Sequence, residues 1–79
     1  MNIGMLWFDN DPKVSVEVKV DRAATYYRNK YGKVATLCFV HPIMLGDGNT
    51  GFTTASGVEV RVTRSILPNH LWLGIGAKE

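Results

Sequence analysis

DPKVSVEVKVDRAATYYRNKYG, residues 11–32, is the stretch on which the rest of this chain leans. Asp11 can cap the free amide groups of a first helical turn, and Pro12 suits the first helical position. Gly32 stands where helices commonly end in a left-handed conformation. At about 100° per residue, Val16, Val20, Ala23, Tyr27 and Tyr31 fall on one stripe, with Ala24 beside it. The charges suit the helix dipole, with Asp9 and Asp11 at the start and Arg28, Lys30 and Lys33 at the end. The pattern predicts one long amphipathic helix between two hydrophobic strands.

A competing period runs through the first half of this segment. Val14, Val16, Val18 and Val20 alternate with Ser15, Glu17 and Lys19, as in a half-buried strand of β-branched residues. On that reading Asp21 caps a shorter helix from Arg22 to Tyr31. The long helix is preferred because its stripe stays in phase through Tyr31 and its start signal is good. It leaves Val14 and Val18 one turn apart on the outer face, an apolar pair that marks a candidate interface.

On the N-terminal side, Ile3 to Phe8 reads as a strand apolar on both faces, joined to the helix by Asp9-Asn10-Asp11-Pro12. On the C-terminal side, Val34 to Val40 reads as a second strand, also apolar on both faces and ended by His41-Pro42. A strand, a helix and a strand with short links imply a right-handed crossover, with the two strands parallel. A loop with four glycines follows to Gly57, and a short strand around Phe52–Ala55 fits within it. Val58, Val60 and Val62 alternate with Glu59, Arg61 and Thr63, a strand wet on one face and at or near an edge. Pro68-Asn69 marks a turn, and Leu71 to Ile75 a last strand, forming a predicted antiparallel hairpin with its predecessor. The expected fold class is α+β: one small domain over residues 1–79, ordered β-α-β-β-β, with a mixed sheet of about four strands and the helix on one face.

Composition bounds the function. Apolar residues are 46% and charged residues 20%, an ordinary globular balance. Net charge is +2, too slight by itself to indicate a nucleic-acid or anionic-membrane partner. A single cysteine, Cys38, excludes an internal disulfide and a cysteine metal cluster, and its mid-strand place reads as structural. The opening MNIGMLWFDN lacks the basic start of a signal peptide, and no run approaches the roughly 20 apolar residues of a membrane span. A cytoplasmic protein is expected. One helix covers one sheet face, yet three strands carry large apolar side chains on both. The uncovered face would expose several hundred Å², more than monomers usually tolerate. Self-association is therefore expected, with Trp7, Trp72, Val14 and Val18 as interface candidates.

Chemistry-bearing residues are sparse. Asp9 and His41 end the two parallel strands, a rim where ligands gather in open sheets, and are candidates for an acid/base pair. With Asp11 and His70 they are also the candidate metal ligands, although their spacing matches no metal signature. The bland reading makes the aspartates turn and cap residues and His41 part of a proline turn. Arg22, Tyr26, Arg28, Lys30 and Lys33 could contact phosphates or stack on a base. Glu17, Asp21 and Glu59 dilute that basic surface, and a solvated helix face with dipole-matched charges is the preferred reading. The loop lacks a phosphate-binding ending, and Asp47-Gly48-Asn49-Thr50-Gly51 lacks the closing glutamate of a calcium loop. No cofactor is expected.

The run LWFDNDP (6–12), KYG (30–32), VHP (40–42) and LPNHLWLG (67–74) resembles short uncharacterised bacterial proteins over nearly the whole chain. That resemblance implies no cofactor and no catalytic residue. More loosely, a strand ending in proline, then GVEVRV (57–62) and LPNH (67–70), is similar to a segment near the end of tailed-phage capsid proteins, which implies a structural or mobile-element role. The leading expectation is a small non-enzymatic binding or assembly module acting as a homo-oligomer. The alternatives are an accessory nucleic-acid binder at the Arg22–Lys33 surface and a minimal metal-dependent or acid/base enzyme at Asp9 and His41.

Overall fold

The computed structural model describes residues 4–46 and 51–76. The helix, α1, spans Val16–Tyr31 and is shorter at its start than the sequence implied. Asp11 and Ser15 are competing caps. The Asp11 carboxylate accepts from the Lys13 amide, two residues on, at 2.9 Å, which folds residues 11–13 into a local turn. Ser15, in extended conformation, then accepts from the Val18 amide at 3.3 Å and begins the helix. The extended-strand alternative for residues 14–20 is not adopted. The far end is as predicted: Gly32 takes φ 71°, and its N–H reaches the Arg28 carbonyl at 2.8 Å. Val20, Ala23 and Tyr27 are fully buried, so the predicted stripe is the buried face.

Five strands form one mixed sheet: β1 (Met5–Phe8), β2 (Leu37–Val40), β3 (Gly51–Thr53), β4 (Glu59–Val62) and β5 (His70–Gly74). Their order is β1-β5-β2-β4-β3. β5 is antiparallel to both β1 and β2, so those two run in one direction but are not neighbours. β4 lies parallel to β2 and antiparallel to β3. The expected hairpin between the last two strands is therefore wrong, since β2 separates β4 from β5. The cause is legible in the side chains. β5 is apolar on both faces and belongs in the middle, while Glu59 and Arg61 keep β4 toward a wet flank. The short strand expected around Phe52–Ala55 is found as β3, at the edge.

α1 covers one sheet face. Met5, Cys38, Val40, Val60, Leu71 and Leu73 are buried beneath it with Val20, Ala23 and Tyr27. Burial pushes the Cys38 thiol up to about 12. It raises Tyr27 as well, with the neighbouring Tyr31 adding to the shift. Thr54 and Gly57 close the turn that feeds β4, and the Ser56 hydroxyl ties that turn to Asp21 of the helix at 3.2 Å. Among the described residues no helix is long and apolar enough to cross a membrane.

Candidate functional site

Among the described residues the face turned away from α1 carries no α-helix and no second sheet; Thr63, Ser65 and Ile66 flank only its Phe39–Trp72 part. Because side chains alternate along a strand, register decides what stands there. Leu6 lies opposite Trp72, Trp72 opposite Phe39, Phe39 opposite Arg61, and Arg61 opposite Gly51. This row crosses all five strands, apolar on β1, β5 and β2, charged at Arg61 on β4 and ending on Gly51 of β3. A flanking row runs from Gly74 through Leu37 to Glu59 and Thr53. At the opposite end Phe8 faces His70, ring centroids 5.0 Å apart.

Trp72 is the centrepiece of the row. Its ring lies directly on the backbone of Gly4 and Gly74, where an added Cβ would come within 2.3 Å of ring atoms. Phe39 packs against its other side at 5.8 Å and an interplanar angle of 47°. A cleft of about 230 Å³ opens beside the pair, lined also by Thr63, Ser65 and Ile66. Trp72 and Phe39 are half-buried, whereas Leu6 and Phe8 are 59% and 57% exposed. The expectation that β1 is buried on both faces thus fails in the single chain, because β1 is an edge strand with no second layer. Arg61 is held by Glu59 at 2.6 Å, a pair that bounds the apolar half.

The sequence-predicted interface residues do not share one surface. Trp72 is on the open face. Trp7 is on the helix side, its ring 5.1 Å from Tyr26, and its indole N–H is buried with no acceptor among the described residues. Val14 is half-buried ahead of the helix, and Val18 is 41% exposed on it.

Asp9, Asp11, His41 and His70 lie along one end of the sheet, but each serves local structure. Arg22 Nη1 stands 3.7 Å from Asp9 and 3.8 Å from Asp11, and Asp9 also accepts from the Asp11 amide at 3.1 Å. His41 Nδ1 accepts from the Ile43 amide at 3.1 Å, capping the short 3-10 turn Pro42–Met44. His70 Nδ1 pairs with the Pro68 carbonyl at 3.0 Å, so it is the donor there. β5 enters the sheet between the ends that carry Asp9 and His41. Among the described residues no three His, Cys, Asp or Glu side chains are grouped to hold a metal ion. The possible calcium-loop residues 47–50 lie outside the described residues.

The basic candidates are scattered. Arg22 is tied to the two aspartates, Lys30 sits 5.5 Å from the Tyr31 ring centroid, and Tyr26 leans on Trp7. Arg28 lies about 200° round the helix axis from Tyr26, so the two cannot serve one face. The row across the open face and the glycine cradle under Trp72 were not foreseen. The available signal was the pairing of small Gly74 with bulky Trp72 in one apolar strand. No protein-family model, curated protein or solved structure matches this chain.

Proposed function

We propose that this chain is a small non-enzymatic assembly module that self-associates through the apolar half of its open sheet face. The observation that carries the reading is the exposure of Leu6 and Phe8 at 59% and 57%, contiguous with Trp72 and Phe39 on a face with no second layer. Together these side chains leave on the order of 300–400 Å² of apolar surface in water, within the range of the largest, often functional, patch on a typical monomer. A standard stable interface takes about 800 Å² from each partner. The apolar half supplies roughly half of that, which fits a weak, concentration-dependent association rather than a permanent one.

Two other readings have less behind them. A nucleic-acid role for the Arg22–Lys33 surface is weakened by the Arg22 ion pairs and by the spread of its charges around α1. An acid/base site at Asp9 and His41 is weakened by the strand inserted between them. Light scattering across a concentration series, with Phe8→Ser as the comparison, tests the proposal. Wild type should gain mass with concentration and Phe8→Ser should not. A wild-type chain that stays monomeric at high micromolar concentration refutes self-association.

A further inference from the structure

β1 is the outermost strand on its side of the sheet, and its sequence, MLWF, has none of the devices that blunt an exposed edge. It contains no charge, no proline and no glycine. The opposite edge is protected differently. β3 is only three residues long, which by itself blunts an edge.

The direction of the β1 backbone groups follows from one hydrogen bond. Asp9, just past the strand, donates its N–H to the Asn69 carbonyl at 2.9 Å, inward toward β5. Backbone groups alternate sides along a strand, so Trp7 and Met5 also point inward. Leu6 and Phe8 therefore turn both their N–H and their C=O outward, away from the sheet. These two residues are also the ones with exposed side chains. Among the described residues nothing pairs with these outward groups, so one strand carries open ladder groups and uncovered apolar groups on the same two residues.

We infer that a second copy of this chain docks along β1, antiparallel about a two-fold axis at Trp7, to make one continuous sheet. This rests on the self-association proposed above and places its contact at the β1 end of the apolar patch, on Leu6 and Phe8, with Trp72 and Phe39 behind them rather than in the seam. The occupant follows from self-complementarity: in this register Leu6 meets Phe8 of the second copy and Phe8 meets its Leu6. Each such pair has outward N–H and C=O groups on both members, so both exchange the two bonds of a hydrogen-bonded antiparallel pair. The four apolar side chains then adjoin on the open face and cover one another. Asp9 falls opposite Met5 of the second copy, so no like charges meet across the seam. On the helix side, a shallow cleft of about 440 Å³ lined by Trp7, Tyr26, Arg22, Thr25 and Asn29 leaves room beside the axis.

Proline at position 6 removes an outward N–H and leaves the β1–β5 ladder intact, because Leu6 does not donate inward. Leu6→Ala keeps the N–H and loses only side-chain contact. Leu6→Pro should weaken self-association at least about tenfold more than Leu6→Ala, with both variants keeping dispersed amide spectra. Independently, in the wild-type chain the Leu6 and Phe8 amides should gain hydrogen-exchange protection as concentration rises. Association without that protection, or equal association of the folded proline and alanine variants, overturns the edge geometry while self-association stands. A monomer at every concentration overturns both, and if Leu6→Pro does not fold, the wild-type exchange data decide alone.

Discussion

Gly74→Ala tests the packing of the open face most directly. An alanine Cβ at this position would stand 2.3 Å from the nearest atom of the Trp72 ring, against an ordinary contact near 3.6 Å. The ring must therefore move by more than about 1 Å. It cannot simply slide, because the adjoining part of the ring lies over Gly4, where an added Cβ would likewise come within 2.3 Å, and Phe39 packs at 5.8 Å. Overpacking of this kind costs about 1–3 kcal/mol, offset by roughly 0.4–1 kcal/mol from restricting the unfolded chain. The expected net loss is about 1–2 kcal/mol, large beside the roughly 4–12 kcal/mol of total stability typical for a chain this long. Removing the ring removes the clash. In a Trp72→Ala background, Gly74→Ala should therefore be neutral or slightly stabilising, a coupling of about 1–2 kcal/mol. Urea unfolding of the wild type, both single variants and the double variant measures that coupling. Additive effects within about 0.5 kcal/mol would show that the ring does not rest on Gly74 and refute the reasoning.

Four further outcomes follow from the same geometry. Ser15→Ala should lower stability by about 1 kcal/mol and Asp11→Ala by less, since Ser15 caps α1 and Asp11 caps only the preceding turn; equal losses by urea unfolding would return the cap to Asp11. Trp7→Phe should be nearly neutral in thermal unfolding, because deleting a buried indole N–H that has no acceptor among the described residues offsets part of the lost apolar contact. The Cys38 thiol, raised from 9.0 to about 12, should resist alkylation in the folded chain; above pH 9 the unfolded chain sheds a proton that the folded chain keeps, so stability is intact below pH 9 and falls by up to about 1.4 kcal/mol per pH unit toward pH 12. Finally, each tenfold rise in concentration above the dimer dissociation constant should raise the melting temperature by about 3–5 °C, as calorimetry can read, and an unchanged melting temperature would count against self-association.

Local signals carried the helix further than the sheet. The stripe from Val20 to Tyr27 and the stop at Gly32 are both sequence-local, and both appear in the structure. The start moved because Asp11 and Ser15 each suit a cap, and propensity alone does not rank a turn against a helix when one carboxylate can serve either. Strand existence was legible from short apolar runs and, in β4, from alternation; strand order was not. Pairing β5 with β1 joins residues far apart in sequence, such as Leu6 and Trp72, and no local pattern encodes that distance. A weaker signal was present: β5 is apolar on both faces and β4 on one, which favours β5 for the interior and argues against the simple hairpin.

The same rule turns β1 into the informative exception. A strand apolar on both faces is normal where layers cover it from above and below, and where neighbours satisfy its backbone on both sides. β1 has one neighbour and one layer. Its exposed Leu6 and Phe8 side chains and its free ladder groups are separate unfavourable terms, one a matter of hydration and the other of hydrogen bonding. Covering the open face with an apolar partner would relieve only the first. Adding an unrelated polar strand would relieve only the second. A strand of like sequence, aligned so that Leu6 and Phe8 face each other, relieves both at once, and the second copy of this chain carries that strand in the required conformation.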